Sequence, residues 1–154
     1  MDEAEAVERL RNTMGLTGLW DVPPLMITAT LDDGIGQGIR IIERFAGLAG
    51  LRVHPMGLTV ARERIAAECR RHRPALLGVT VLQVDSEEDL CWIGHGLPEE
   101  TRLVAGGAAF RTDPDLAGRC GVDFVAGNVA AFIGYLLQMA RKMKQVKFVN
   151  EAPI

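Results

Sequence analysis

A glycine-rich segment carries the residues of this chain that are best suited to ligand chemistry. Residues 32–38 read Asp-Asp-Gly-Ile-Gly-Gln-Gly and stand between an apolar run and a helical pattern. Three glycines in five positions let the backbone approach a ligand closely, and the amides of a helix start attract anionic groups. The spacing does not complete G-x-G-x-x-G, because position 39 is Ile, and no G-x-x-x-x-G-K-[ST] occurs. The segment therefore favours a ligand other than a nicotinamide dinucleotide or a nucleoside triphosphate.

The elements that must position this segment follow from the apolar pattern. Short apolar runs bounded by turn residues predict five strands, at 25–30, 51–54, 75–82, 103–105 and 122–126. Helical periodicity predicts a short helix at 2–14 and further helices at 38–49, 59–73, after Ser86, after Asp113-Pro114 and after Asn128. The predicted N-caps are Thr59, Ser86, Asp113 and Asn128, and Gly121 is predicted just beyond the end of a helix.

Strands that are apolar throughout and alternate with helices indicate a parallel sheet covered on both faces. We predict a single α/β domain with a doubly wound, Rossmann-like or flavodoxin-like sheet of order 2-1-3-4-5. The predicted organisation is an N-terminal helix and linker at 1–22, the α/β domain at 23–144 and a C-terminal tail at 145–154.

Composition excludes several classes of function. The 154 residues carry a formal net charge of −3 with both signs interspersed, which argues against nucleic-acid binding. No apolar run is long enough to span a membrane, and the acidic start differs from a signal peptide, so we expect a cytoplasmic protein. The widely spaced Cys69, Cys91 and Cys120 suggest neither a disulfide framework nor a zinc site, and we interpret them as small buried apolar groups.

In a doubly wound sheet the ligand crevice lies at the carboxyl ends of the strands, beside the switch point between strands 1 and 3. This rule selects the loops 32–38, 83–85, 106–110 and 127–128. Asp32 and Asp33 there suggest acid–base or magnesium chemistry, as in phospho-acceptor domains. Such a domain also needs a lysine at the end of strand 5, where this chain has Gly127-Asn128. A phospho-acceptor or flavodoxin-type mononucleotide binder is therefore a third hypothesis.

Residues 25–140 resemble the cobalamin-binding domain shared by corrinoid methyl carriers and the small subunits of cobalamin-dependent mutases. That family carries D-x-H-x-x-G after strand 1, S-x-L at strand 3 and a glycine pair after strand 4. Segment 33–38 matches the first motif at its Asp and its last Gly, but it has Ile35 at the position of the histidine. Thr80-Val81-Leu82 matches the second motif with Thr in place of Ser, and Gly106-Gly107 matches the third.

In the family the missing histidine coordinates cobalt from below, while the displaced nucleotide tail of the cofactor threads between strands 1 and 3. Isoleucine has no lone pair for a metal, so the resemblance implies cobalamin bound with its own base on cobalt or with no protein ligand. His54, His72 and His95 are interpreted as ordinary surface histidines, and no residue is predicted to bind a metal ion.

The resemblance implies a corrinoid carrier that is not itself a catalyst and that presents cobalamin to a methyltransferase or mutase subunit, with methyl transfer as the favoured reaction. The alternative is a degenerate domain that regulates, binds a protein, or holds another tetrapyrrole. The sequence leaves open whether the chain forms a homo-oligomer. The predicted cofactor-binding residues are Asp33, Gly34, Ile35, Gly36, Gln37, Gly38, Thr80, Val81, Leu82, Gly106, Gly107, Ala108, Gly127 and Asn128.

Overall fold

The structure, a computed structural model, describes residues 18–32 and 37–151 together with Glu5 and Glu8. Its strands are β1 (Leu25–Thr30), β2 (Arg52–Pro55), β3 (Leu76–Thr80), β4 (Arg102–Gly106) and β5 (Phe124–Val125). Its helices are α1 (Gln37–Ala49), α2 (Arg62–His72), α3 (Glu87–Gly96), α4 (Ala109–Thr112), α5 (Leu116–Arg119) and α6 (Val129–Glu151), with a 3₁₀ turn at Val84–Ser86. The strands form one parallel sheet of order β2-β1-β3-β4-β5, which confirms the predicted fold.

The sheet separates two apolar layers, because successive side chains of a strand point to opposite faces. On β1, Ile27 and Ala29 pack in a layer with residues of α2 and α3, whereas Met26 packs in the layer that contains α1 and α6. The sequence pattern of α6 is confirmed, since Phe132 and Leu136 on its apolar stripe are fully buried. Both faces of the parallel sheet are thus covered.

Part of the predicted N-terminal linker packs against this core. Leu19 and Trp20 are buried, and the Leu19 amide donates to the Ala49 carbonyl at 3.0 Å. The Trp20 indole Nε1 donates to the sulfur of Met143 at 3.2 Å. The predicted helix at 2–14 lies outside the described residues, except that Glu5 and Glu8 are helical.

Several predicted helix ends are shifted. Thr59 does not cap α2: it has a φ of 51°, and the helix begins at Arg62 after Ala61. The segment before α2 instead folds back on β1, where Thr30 donates its amide to the Gly57 carbonyl and accepts the Val60 amide. Because of this backbone pairing, residues 59–61, which helical periodicity assigns to α2, lie outside the helix.

Further along the chain, Asp113 accepts the amide of Asp115, α5 begins at Leu116, and the short α4 was not predicted. The Asn128 cap is confirmed, since its Oδ1 accepts the Ala131 amide at 2.8 Å. Gly121 follows α5 with a φ of 69°, as predicted. Helix α6 continues to Glu151, into the segment 145–154 that was predicted as a tail. Within the described residues no helix is long and apolar enough to cross a membrane.

The expectation that the cysteines form no disulfide is wrong. Cys91 on α3 and Cys120 at the end of α5 are joined by a disulfide across 29 positions of sequence. The helices meet closely because Gly94 has no side chain: a Cβ there would lie 1.9 Å from the Cys120 carbonyl oxygen. Cys69 is free and buried, as expected.

Candidate functional site

Three strand ends stand in a row at the carboxyl edge of the sheet. The parallel register pairs Thr30 at the end of β1 with Thr80 at the end of β3, and Thr80 with Gly106 at the end of β4. These are the strands on either side of the β1/β3 switch point, where ligands bind in doubly wound folds.

A cavity of about 520 Å³ opens beside this row, on the face of the sheet that α1 and α6 cover. Its size falls within the usual range of small-molecule sites. Most of its wall is apolar, and among the described wall residues Arg111 alone is charged. The wall consists of Met26, Thr30, Gly38, Ile39, Ile41, Ile42, Gly78, Val79, Thr80, Leu82, Val104, Ala105, Gly106, Gly107, Ala108, Arg111, Ala126, Asn128, Val129 and Phe132.

The hydroxyl of Thr30 is a buried polar group of a wall residue. Thr30 is 1% exposed, and its Oγ1 has no hydrogen-bond partner among the described residues. A buried hydroxyl without a partner costs about 1–3 kcal/mol. Thr28, two residues earlier on the same face, is equally buried and unpaired but does not line the cavity. Thr30 thus lies on the cavity wall, with its hydroxyl buried within the wall.

Glycines form part of the wall of this cavity. A Cβ on Gly38, in the first turn of α1, would meet no described atom within 4 Å. A Cβ on Gly78 of β3 would lie 2.5 Å from the terminal methyl of Met26 of β1, and both residues are part of the wall. Gly107 has a φ of 116°, and its Cβ would lie 2.3 Å from the Val81 carbonyl oxygen. The glycine after β4 is therefore required by the backbone itself.

Asp32 ties together the loops that follow β1 and β3. Its buried carboxylate accepts the amides of Leu82 at 3.1 Å and Gln83 at 2.9 Å, and the hydroxyl of Ser86 at 3.0 Å. The prediction that Ser86 caps α3 is therefore wrong: its side chain makes no cap hydrogen bond, because the hydroxyl donates to Asp32. With three donors bound, Asp32 holds the edge of the site rather than supplying free acid–base chemistry.

Seven of the predicted cofactor-binding residues lie on the cavity wall: Gly38, Thr80, Leu82, Gly106, Gly107, Ala108 and Asn128. Val81 is buried in the opposite layer, and Gly127 is exposed and not part of the wall. Asp33, Gly34, Ile35 and Gly36 lie outside the described residues, as does the side chain of Gln37. The role of all these residues in binding stays a prediction.

Sequence reasoning missed Thr30 and Arg111. Thr30 could have been found as the last residue of the first predicted strand, at the edge that the switch-point rule selects. Arg111 gave no such signal, because α4, which carries it to the wall, was not predicted. None of the three histidines lines the cavity.

The comparisons with known proteins agree with this geometry. The model of the B12 binding domain family matches residues 24–132. A cobalamin-binding protein from Desulfitobacterium hafniense DCB-2 is 17% identical with a TM-score of 0.67, covering 75% of this chain and 58% of its own. The monomethylamine corrinoid protein of Methanosarcina barkeri is 21% identical with a TM-score of 0.65, covering 86% and 62%.

A methanol:cobalamin methyltransferase complex from the same organism contains a chain that is 15% identical with a TM-score of 0.66, covering 90% of this chain and 54% of that one. No curated protein matches in sequence. At these identities the solved structures establish a shared fold, and this chain spans roughly three-fifths of their length. The family match covers most of the chain, confirms the predicted resemblance, and identifies cobalamin as the cofactor.

Proposed function

Because this chain belongs to the B12 binding domain family, we propose that it is a corrinoid carrier without a histidine ligand to cobalt. It holds cobalamin over the carboxyl edge of the sheet and presents it to a partner methyltransferase or mutase subunit. When bound, cobalamin supplies the organometallic bond used in group transfer, and the protein supplies placement. The observation that carries the proposal is the open apolar cavity beside Thr30, Thr80 and Gly106.

The cavity wall fits the nucleotide tail of cobalamin, which ends in a flat and largely apolar benzimidazole linked through a ribose and a phosphate. Apolar walls suit the ring, and the open face of Gly38 leaves room for it. The Thr30 hydroxyl is buried in the wall and has no partner among the described residues, and it would turn toward the tail to form a hydrogen bond with it. Arg111, exposed and on the wall, is the group that would hold the phosphate.

The positions of the histidines support a cobalt without a protein imidazole. His54 is on the outer strand β2, His72 ends α2, and His95 is near the end of α3, where its Nε2 lies 3.1 Å from the Arg119 carbonyl oxygen. The family's histidine position holds Ile35. We therefore infer that the tail lies in the cavity and that cobalt receives neither the tail's base nor a histidine.

The test compares corrinoids with and without the tail. The protein is mixed with hydroxocobalamin, methylcobalamin or cobinamide, free ligand is removed, and the visible spectrum of the retained corrinoid is recorded. We expect cobalamin to be retained with a spectrum in which its own base is off cobalt. Cobinamide, which lacks the nucleotide tail, should bind at least tenfold more weakly, about 1.4 kcal/mol.

The variant Ile35→His restores the family motif and should shift the spectrum towards histidine ligation. No retained corrinoid would overturn the proposal and favour the alternative, a degenerate domain that regulates, binds a protein or holds another tetrapyrrole. Retention of cobalamin with its own base on cobalt, and equal affinity for cobinamide, would show that the tail does not use the cavity.

The partner is inferred from the surface around the same edge. Leu58, after β2, and Val84, after β3, are 41% and 44% exposed, although both are apolar. A partner that covers this edge would bury them and shield the cofactor. Val84→Asp should reduce recovery of a methyltransferase on immobilised corrinoid-loaded protein while leaving corrinoid retention unchanged. Recovery that is unaffected by Val84→Asp would place the partner elsewhere.

A further inference from the structure

Two of the three histidines converge on one carboxylate, on the other face of the sheet from the cavity. His54 lies on β2, and Glu68 and His72 lie one turn apart at the end of α2. The Nε2 atoms of His54 and His72 are 3.6 Å and 3.3 Å from the same oxygen, Oε2 of Glu68. The centroids of the two imidazole rings are 6.0 Å apart.

We propose that His54, Glu68 and His72 bind a divalent transition-metal ion of the zinc type. Two imidazoles and one carboxylate are a ligand set that such ions accept, with a further position for water. Ligands at about 2.0–2.2 Å from one ion lie roughly 3.0–3.5 Å from each other. The two nitrogen–oxygen distances are close to that range, whereas the nitrogens of the two imidazoles are farther from each other and have to approach for one ion to bind both.

The side chains are free to complete the set. Those of His54 and His72 are 52% and 41% exposed, so either ring can turn to bring its nitrogen to an ion beside Glu68. Glu68, 28% exposed, is the most fixed of the three and forms the base of the site.

The placement gives the ion a structural consequence. Among the described strands, β2 is at the edge of the sheet and pairs with β1 alone. An ion bound by His54 on β2 and by the two residues of α2 would link this edge strand to the neighbouring helix. Metal binding should therefore stabilise the folded chain, because only the folded chain brings the three ligands together.

The test is a calorimetric titration of the full, corrinoid-free chain with ZnCl₂ at pH 8, where histidine side chains are generally neutral. We expect one ion per chain and a higher melting temperature with zinc. His54→Gln and His72→Gln should each weaken binding at least tenfold, and circular dichroism verifies that the exposed substitutions leave the fold intact.

The chain offers two matched controls. His95→Gln removes the third histidine, and Glu87→Gln removes the carboxylate of another cluster of potential ligands in the described part of the chain, whose Cys91 and Cys120 are joined in a disulfide. Both variants should bind zinc as the unsubstituted protein does. Absence of saturable binding, zinc affinity that is unchanged in His54→Gln and His72→Gln, or binding that is lost in either control would overturn the proposal.

Discussion

The variant Thr30→Val tests whether the unpaired hydroxyl in the cavity serves a ligand, because stability and affinity should change in opposite directions. Valine has nearly the shape of threonine and suits a strand equally well. It removes only the hydroxyl, which is buried and has no partner among the described residues. In the corrinoid-free protein the free energy of unfolding should rise by about 1 kcal/mol, at the low end of the cost of an unpaired polar group.

Affinity for cobalamin should fall in the same variant. If the Thr30 hydroxyl bonds the nucleotide tail, its removal costs about 1 kcal/mol of binding free energy, which is about a fivefold higher Kd. Unfolding is measured with urea by circular dichroism, and binding by quenching of the intrinsic tryptophan fluorescence on titration with hydroxocobalamin. Cobinamide should bind Thr30→Val and the unsubstituted protein equally, because it lacks the tail.

Thr28→Val is the matched control. Thr28 has the same burial and an equally unpaired hydroxyl, but it does not line the cavity. We expect the same gain in stability with no change in affinity. A Thr30→Val protein that is less stable than the unsubstituted one, or one that binds cobalamin as tightly, would refute the assignment of Thr30 to the ligand.

Four further predictions concern the frame of the site and its cysteines. Asp32→Ala leaves three bound donors unpaired and should lower the free energy of unfolding by about 2–4 kcal/mol in urea, whereas a loss below 1 kcal/mol would contradict its anchoring role. Gly107→Ala should cost about 2–4 kcal/mol in the same assay, because alanine is strained at a φ of 116° and meets the Val81 carbonyl. Cys91→Ser should lower the free energy of unfolding by roughly 3–4 kcal/mol under oxidising conditions, because the disulfide closes a loop between residues 29 positions apart. In dithiothreitol, which reduces the disulfide, the substitution should have little effect, and an equal loss there would argue against the disulfide. Burial raises the pKa of the Cys69 thiol to about 12, so it stays protonated at pH 8 and iodoacetamide should label it only after unfolding; labelling of native protein would contradict this.

The fold could be predicted from sequence because it depends on local patterns. Continuous apolar runs mark the buried parallel strands, and the limits of β1 agree with the predicted 25–30. The predictions for Asn128 and Gly121 were also correct, since a helix cap and a positive φ depend on a residue and its immediate neighbours. The predictions failed where a distant partner competes. Ser86 is directed to Asp32, and Thr59 belongs to a loop that pairs with β1.

The site was predictable only in part, for the same reason. The motif glycines and Thr80 are recognisable by spacing, but the pairing of Cys91 with Cys120 depends on how closely α3 approaches the end of α5. Arg111 reaches the wall through a four-residue helix that is too short to leave a periodic signal. The convergence of His54 and His72 on Glu68 joins an edge strand to a helix, which no spacing in the sequence indicates.

The two faces of β1 differ in a way that supports the proposal of a ligand in the cavity. Ile27, Ala29 and Leu31 are apolar and buried in a filled layer. On the opposite face the same strand presents Thr30, whose buried hydroxyl has no partner among the described residues, on the wall of an open volume. Both features reduce stability, and valine at position 30 would remove part of the cost. A strand that packs fully on one side and keeps an open, partly polar wall on the other is what a domain requires when a bound cofactor completes its core.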